Sequence, residues 1–560
     1  MVDVITMEIV RNALEYIAEE MGIVLRNSAF SPNIKERMDH SCAIFGVKGE
    51  LLAHAEHIPV HLGAMPLAVR EAIKVIDEFE EGDMIVMNDP YSCGTHLPDI
   101  TIIAPVYHRE ELVGFVANRA HHSDVGGRVP GSMPGDSVEI FEEGLIIPPV
   151  RIVKRGKIDK EILRLILANV RTPRIRMGDI IAQISANRRG VERLLRIIDK
   201  YGRETYLEAV DHILSYSERL AKTEISKMRE GESYACDYLD DAGQNWDKPI
   251  KICVRVRIEK GSITFDFSDS DKQVPGSINA PKTVTISASY FVFKSILRGD
   301  IPSNEGTYRP LRIITKRGTI VDATHPVAVA GGNVETSQRI VDVLFLALSK
   351  LIPERIPAAS QGTMNNIAFG GINPKTGRPF TFYETIGGGF GGRRGKDGVD
   401  GVHCNMTNTM NTPIEEIERK YPIRILEYSL RSDSCGAGRW RGGLGIIRKY
   451  QALTTIKVSL LGDRHRFRPW GLMGGKAGAP GEYILIRNGR EIKLPSKTTI
   501  IMNPGDILVI KTPGGGGYGK PKQRDKERIL EDLLDGKTSR LYVEKHYGLH
   551  LRNLDIREHQ

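Results

Sequence analysis

The chain has 560 residues, of which 41% are apolar and 26% are charged; these fractions are close to globular averages and exclude general disorder. Glycine is the outlier at 57 residues, but it follows no G-X-Y period, which excludes a collagen-like rod. The net charge of +8 is small for this length, and the short basic runs lack interleaved aromatic residues, so we expect no nucleic-acid partner.

The first half of the chain is predicted to combine helices with short strands. Residues 6–28 show helical spacing of apolar residues, and residues 41–46 fit a short strand. Between residues 84 and 118, three short apolar runs bounded by turn residues indicate further strands. Over residues 178–229 the period becomes helical again, and a break near Gly202 separates two helices.

The second half is predicted to be mainly β-structure. After Gly231 the β pattern returns, with a hairpin turn at Lys260-Gly261. A helix over residues 337–351 precedes a long glycine-rich β region that ends near Gly519, and a charged helical tail follows. The pattern indicates an α+β fold with large mixed or antiparallel β regions, inserted helices and a C-terminal helical tail.

We divide the chain into a catalytic region, residues 1–520, and a helical tail, residues 521–560. Within the catalytic region we expect a β-rich part, residues 1–170, a helical segment, residues 171–230, and a glycine-rich α+β part, residues 231–520.

The cysteines and the termini predict a cytoplasmic protein. The six cysteines are far apart and form no CxxC pair, which is typical of reduced thiols and not of a disulfide frame or a zinc ribbon. Asp3 and Glu8 stand where a signal peptide would be basic and then apolar, so none is expected. No apolar run approaches about 18 residues, and we expect no membrane partner.

The most informative stretch predicts a metal site. A strand leaves Asp99, turns near Glu110 and returns toward His121, so antiparallel pairing centred on residue 110 places Asp99 beside His121. His96 lies three residues before Asp99 in the same loop. Two imidazoles and one carboxylate at a strand end fit a site for Mn, Zn or Fe with open coordination positions.

Other polar residues near this stretch leave alternatives open. His122 and Asp124 are expected to support the ligands through hydrogen bonds, but one of them could be a ligand instead of His121. Eight of the fifteen histidines fall between residues 40 and 122, an excess that indicates a site. Glu56 or His57 could supply a general base there, and the sequence does not choose between them.

Two glycine clusters, residues 387–392 and 514–519, have the G-x-G-x-x-G spacing of a phosphate-binding loop. Neither cluster opens a helix, whose N-terminus a dinucleotide site requires, and the sequence contains no GxxxxGK[ST] loop. We therefore interpret the glycines as positions of tight turns and close approach between strands.

The chain resembles the B-type subunits of the ATP-dependent hydantoinase/5-oxoprolinase family, which includes the alpha subunits of acetone and acetophenone carboxylases. The resemblance covers the chain almost from end to end. It is carried by RMDHS (37–41), NDPYSCGTHLPD (88–99), HHSDVGG (121–127), GDIIAQISAN (178–187), PGSINAP (275–281), GGNVETSQRIVD (331–342), QGTMNN (361–366), ETIGGGFGGRRGKDGVDGVHCNMTNTMNTPIE (384–415), RWRGGLG (439–445) and TPGGGGYG (512–519).

The resemblance implies a hetero-oligomer with a hydantoinase A/oxoprolinase-type ATPase subunit. That partner would bind ATP and Mg²⁺ and phosphorylate an amide or ketone oxygen, and the B-type chain would take the activated intermediate. In acetone carboxylase the equivalent subunit carries a metal on a His-x-x-Asp and a later His, which correspond here to His96, Asp99 and His121. Asp89, with His122 and Asp124, is our candidate for orienting the nucleophile.

The predicted function is the catalytic subunit of an ATP-dependent cyclic amidohydrolase acting on 5-oxoproline or an N-methylhydantoin-like ring. The alternatives are the alpha subunit of an ATP-dependent carboxylase and a non-catalytic scaffold for the ATPase subunit. Because the resemblance places ATP on the partner subunit, the glycine clusters are not expected to bind phosphate. We expect them to shape a channel or a subunit interface.

Overall fold

The computed structural model describes residues 2–55, 57–243 and 246–549. The α-helices in these residues are α1 Val4–Ser28, α2 Pro32–Lys35, α3 Pro59–Leu62, α4 Ala64–Val75, α5 Lys160–Ala168, α6 Pro173–Tyr201, α7 Arg203–Ile225, α8 Lys282–Ile296, α9 Glu305–Tyr308, α10 Ser337–Leu348, α11 Ile414–Lys420, α12 Lys526–Leu534 and α13 Arg540–Tyr547. The strands are β1 His40–Phe45, β2 Leu51–His54, β3 Met84–Met87, β4 Asp99–His108, β5 Glu111–His121, β6 Val150–Lys154, β7 Lys157–Ile158, β8 Gly231–Leu239, β9 Ile250–Glu259, β10 Ser262–Asp266, β11 Leu311–Ile314, β12 Asn366–Asn373, β13 Arg378–Glu384, β14 Ile423–Arg431, β15 Gly445–Ala452, β16 Ile456–Leu461, β17 Glu482–Arg487, β18 Arg490–Leu494, β19 Lys497–Met502 and β20 Ile507–Lys511.

A seven-stranded antiparallel sheet with the order β2-β1-β5-β4-β3-β6-β7 carries the predicted metal residues. Side chains alternate between the two faces of a strand, and both faces of this sheet are covered. Ile100 and Ile102 of β4 share a core with α1, α6 and α7. Ile103 of β4 and Ala117 of β5 belong to a second core on the opposite face, beneath α4.

The remaining strands form three smaller sheets. The first, β11-β10-β9-β8, is antiparallel except for the parallel pair β10–β11, and it shares a core with α8 and α10. The other two, β13-β12-β16-β19 and β14-β15-β20-β17-β18, are antiparallel. Their apolar faces meet in one shared core, as in a β-sandwich.

The α+β prediction is confirmed in detail. The helix predicted over residues 6–28 is α1, whose N-cap Asp3 accepts hydrogen bonds from the amides of Ile5 and Thr6. The predicted break at Gly202 separates α6 from α7, and the glycine has a φ of 84°. The turn at Lys260-Gly261 joins β9 to β10. Among the described helices, none is long and apolar enough to cross a membrane.

The prediction that all six cysteines are reduced thiols is wrong for one pair. Cys236 of β8 and Cys253 of β9 form a disulfide, while Cys42, Cys93, Cys404 and Cys435 are free. The two bonded cysteines lie directly opposite each other in the antiparallel register of β8 and β9. Such cross-strand neighbours are close in space although 17 residues separate them in the sequence, so the absence of a CxxC spacing was no guide.

The glycine clusters are close-packed backbone. A Cβ atom on Gly391 would lie 1.8 Å from the carbonyl oxygen of Ala358, and one on Gly516 would lie 2.0 Å from that of Trp470. Gly392 also donates a backbone hydrogen bond to Gly516, which ties the two clusters together. Close approach of chain segments, which only glycine permits here, therefore accounts for these positions. The channel or interface role, like the division into domains, stays a prediction.

Candidate metal centre

The three predicted ligands meet at one end of the hairpin β4–β5. Asp99 pairs directly with His121 in the register of the two strands, as the sequence predicted. His96 Nδ1 lies 3.1 Å from Asp99 Oδ2, and His121 Nδ1 lies 3.3 Å from Asp99 Oδ1. The ligand atoms of the three residues lie within 4.8 Å of one another, so one metal ion could be held by all three.

The surroundings of the three side chains fit a metal ion. His96, Asp99 and His121 are each at most 3% exposed. Within the described part of the chain, both ring nitrogens of His96, Asp99 Oδ1 and His121 Nε2 have no hydrogen-bond partner of acceptable geometry. Buried polar atoms in folded proteins are nearly always partnered, and a bound cation would satisfy one atom from each of the three residues.

The local electrostatics favour the protonation states that bind metals. Burial alone would raise the pKa of Asp99, but His96 and His61 outweigh it, and the pKa of this carboxyl lies well below its usual range. Burial lowers the pKa of His121, against an opposing effect of Asp99. A carboxylate beside a neutral imidazole is the form in which both residues act as ligands.

His61 connects Asp99 of β4 to strand β1, across the intervening strand β5. Its Nε2 lies 3.3 Å from Asp99 Oδ2, and its Nδ1 lies 2.9 Å from the hydroxyl of Ser41. The imidazole is therefore contacted from both sides; in the tautomer with its proton on Nε2, the ring accepts from Ser41 and donates to Asp99. The sequence places His61 in the histidine-rich stretch but does not distinguish it from the other histidines there.

Arg119 and Tyr383 are two further residues of the site that the sequence analysis missed. Arg119 is two residues before His121 on β5, so both side chains lie on one face of the sheet. The Nε of Arg119 donates to Thr101, and its two terminal nitrogens have no partner among the described residues. Tyr383 stacks on His121 with ring centroids 4.4 Å apart. The period of two along β5 could have identified Arg119, whereas nothing local could have identified Tyr383.

Helix α6 braces the hairpin from the opposite face. Gln183 donates to the carbonyl of Ile100 and to the side chain of Asn118, and its own carbonyl accepts from Asn118. Asn187, one helical turn later, donates to the carbonyl of Ile102. These two amides explain why the segment GDIIAQISAN has polar residues in a buried helix face, because they fix the strands that carry the ligands.

The structure gives the predicted supporting residues other contacts. His122 points toward α6, where its Nε2 lies 2.9 Å from Gln183 Oε1, and burial lowers its pKa to about 4. Asp124 forms a salt bridge with Arg171 at 2.8 Å and accepts backbone bonds from its own loop. Asp89 accepts from the amide of Tyr91 and the hydroxyl of Ser92. None of these three contacts reaches the ligands, and the catalytic roles assigned to the three residues stay predictions.

A cavity of about 390 Å³ lies beside the ligand cluster. Ser41 lines it, and Ser41 is separated from Asp99 only by the His61 side chain. His57 and His403 also line the cavity, and burial lowers the pKa of both, that of His403 to about 3. His57 therefore lies on the cavity wall as a neutral imidazole, which suits the predicted general base. Glu56, the other candidate, lies outside the described residues.

The sequence matches the hydantoinase B/oxoprolinase family over residues 3–521. The chain belongs to this family. An archaeal relative from Methanocaldococcus jannaschii is 50% identical over 543 residues, which cover 96% of this chain and 94% of the relative. A putative D-/L-hydantoinase B-type subunit from Pseudomonas is 33% identical, over 98% of this chain and 95% of its own length. The 5-oxoprolinase 1 of Arabidopsis thaliana is 38% identical over 92% of this chain, which spans only 42% of that plant protein.

Solved structures share the whole fold. An ATP-dependent caprolactamase from Pseudomonas jessenii has a TM-score of 0.91 and 29% identity, over 98% of this chain and 96% of its own. Acetone carboxylase also gives a TM-score of 0.91, over 98% of this chain and 79% of its own, but at 18% identity it shows the fold alone. The predicted resemblance and the predicted class, an enzyme of the cyclic-amide hydrolases, are confirmed at the level of the family.

Proposed function

We propose that this chain is the ring-opening subunit of an ATP-dependent cyclic amidohydrolase. The observation that carries the proposal is the buried cluster of His96, Asp99 and His121, with four ligand-type atoms that lack partners among the described residues. The family and the caprolactamase structure support a reaction on a cyclic amide. The substrate class that we propose is a lactam or a hydantoin-like ring, with 5-oxoproline as the first compound to test.

The chain's own residues divide the work of this reaction. Opening the ring breaks the amide C–N bond and joins an oxygen from water to the carbonyl carbon, while negative charge develops on oxygen. The nitrogen leaves as an amine that takes up a proton from this water. His96, Asp99 and His121 would hold a divalent metal ion, which when bound supplies Lewis acidity that polarises a carbonyl group. Arg119, whose terminal nitrogens are unpartnered among the described residues, would be available to stabilise the developing negative charge.

We propose that ATP and Mg²⁺ are bound by a separate hydantoinase A/oxoprolinase-type ATPase subunit, which phosphorylates the substrate. The related Pseudomonas protein is named as one subunit of a hydantoinase, and the plant 5-oxoprolinase is more than twice as long as the segment that this chain matches. The sequence of this chain has no P-loop of its own. A second polypeptide would therefore supply the activation step in a hetero-oligomer.

The test uses the complex of this chain with a hydantoinase A/oxoprolinase-type ATPase subunit. We expect stoichiometric Mn, Zn or Fe by elemental analysis and ring opening of 5-oxoproline, an N-methylhydantoin or caprolactam only when ATP is present. H96A and H121A should lose both the metal and the ring opening. H212A, which removes an exposed histidine from α7, is the matched control and should keep both.

Three results would contradict the proposal. Ring opening by the isolated chain without ATP would show that the reaction does not need an ATPase partner. Unchanged metal content and activity in H96A would favour the scaffold alternative. Incorporation of labelled bicarbonate into the product would instead favour a carboxylase, whose fold the chain shares.

A further inference from the structure

A strongly basic pocket of about 330 Å³ lies next to the cavity described above. Three segments form it: the end of α8, the turn over residues 353–356 and the loop over residues 393–396. Five cationic side chains line the pocket against a single carboxylate, that of Glu354. The cations are Arg298, Arg355, Arg393, Arg394 and Lys396.

The positive charge of this pocket is largely unpaired. Arg355 has a structural task, because its Nη1 donates to the carbonyl of Ile296 at the end of α8 and the Glu224 carboxylate lies 3.8 Å away. Burial, followed by the like charge of Arg298, lowers the pKa of Arg355. The other four cations form no ion pair with any residue that the structure describes. Like charges gathered in a concave surface attract a counter-ion.

The loop that carries three of these cations is a tight turn. Arg393 and Lys396 exchange backbone hydrogen bonds in both directions, and Gly395 between them has a φ of 88°. The turn thereby holds the neighbouring side chains of Arg393 and Arg394 at the mouth of the pocket. Guanidinium groups presented in this way are suited to phosphate oxygens, which they bind with paired, charge-assisted hydrogen bonds.

The basic pocket adjoins the cavity that is lined by Ser41. Ser295 of α8 lines both the basic pocket and the cavity. On the other side of the cavity, Ser41 contacts His61, which in turn contacts Asp99.

We propose that the basic pocket formed by Arg298, Arg355, Arg393, Arg394 and Lys396 binds the phosphoryl group of a small phosphorylated molecule, or inorganic phosphate. The identification of that molecule with an activated cyclic amide rests on the proposed function. The recognition of phosphate itself rests only on the geometry and charge of the pocket. Arginine side chains, and not the glycine-rich loops, would thus be the phosphate-binding element of this chain.

The first experiment titrates the full chain with inorganic phosphate by calorimetry at low ionic strength. R393A/R394A should weaken binding by about tenfold or more, because each arginine contributes charge-assisted hydrogen bonds. R490A/K493A removes the same charge from the exposed strand β18 and is the matched control, which should bind phosphate like the wild type. Equal binding by wild type and R393A/R394A, or equal losses in the two double variants, would overturn the proposal.

A second experiment separates the two sources of phosphate and the two proposals. Both readings are tested with R393A/R394A in the complex with the ATPase subunit. If the pocket holds the activated intermediate, this variant should release phosphate from ATP without forming ring-opened product. If the pocket instead holds the product phosphate, the variant should be less inhibited by added phosphate and should still open one ring for each ATP hydrolysed. A third result would separate the two proposals. If phosphate binding depends on Arg393 and Arg394 but the complex opens no cyclic amide, the phosphate site is supported and the proposed function is refuted.

Discussion

At the scale of single residues, His61 shows how one side chain outside the ligand set can control a metal site. It is buried, and its ring spans from Ser41 on β1 to the Asp99 carboxylate at the start of β4. A carboxylate ligand that is held by a neighbouring imidazole loses less rotational freedom when it binds a metal ion. Residues that orient ligands in this way influence metal affinity nearly as strongly as the ligands do.

We expect H61A to weaken divalent-metal binding by roughly tenfold, because Asp99 Oδ2 loses its contact with His61 and keeps only the hydroxyl of Thr95 as a donor outside the ligand set. Competition with a chromophoric chelator measures the affinity directly, without any assay of activity. H212A, on the surface of α7, should bind the metal like the wild type. An H61A protein that folds normally and keeps wild-type metal affinity would show that His61 does not position Asp99.

At the scale of elements, the strand register of the hairpin β4–β5 brings the candidate ligands together, and a β-bulge is needed to produce that register. Its turn residues Arg109 and Glu110 both have positive φ, 50° and 71°, as in a two-residue hairpin turn. That turn alone would pair Asp99 with Ala120, but the register shifts by one residue between Val106 and Tyr107. The bulge therefore restores the pairing with His121, because a slip of one residue would move that side chain to the other face.

The glycine-rich segments give a prediction at the same scale. In G516A the added methyl group would meet the carbonyl oxygen of Trp470 at 2.0 Å, and backbone cannot move aside as a side chain can. We expect a loss of more than about 2 kcal/mol in the free energy of unfolding, measured by denaturant titration.

The matched control is G536A, at a glycine with a φ of 68° and open space around it. Its cost should be about 1 kcal/mol, from backbone conformation alone. Equal losses in G516A and G536A would mean that close approach is not what these glycines provide.

At the scale of the whole molecule, the C-terminal tail is packed onto the glycine-rich region. Tyr542 and Val543 of α13 share a core with Cys435 and Ala437, and the Tyr542 hydroxyl donates to the carbonyl of Cys435. Asp532 of α12 accepts from Arg441 at 2.9 Å and from Arg524 at 2.7 Å; all three side chains are buried. Asp532 therefore forms one buried charge pair within the tail, with Arg524, and one with Arg441 of the preceding segment.

Removal of the Asp532 charge should destabilise the protein. D532N removes one of the two carboxylates at each arginine, since Arg441 keeps Asp400 and Arg524 keeps Asp397. The expected loss is that of charge-assisted hydrogen bonds, about 1–3 kcal/mol, and not that of an uncompensated buried charge. The melting temperature and the denaturant midpoint should both fall. D535N, three residues later, breaks only the exposed pair of Asp535 with Lys537 and should melt like the wild type. A D532N protein as stable as D535N would show that the tail is not held by this pair.

The sequence by itself determined the elements and the three candidate ligands, because these depend on local information. Helical and strand periods are properties of neighbouring residues, and the midpoint of one hairpin was enough to predict the pairing of Asp99 with His121. The structure reaches that pairing through a bulge between Val106 and Tyr107, which the sequence did not predict. Asp89, His122 and Asp124 were also chosen by proximity in the sequence, and there the choice led to residues that are engaged elsewhere.

Only the tertiary structure decided which distant residues complete the site. Tyr383 reaches His121 from β13, and Cys236 and Cys253 are brought together by strand pairing. The basic pocket likewise joins Arg298 to Arg393 across almost one hundred residues. No spacing in the sequence encodes these contacts, because they arise when separate sheets and helices pack to bury their apolar faces.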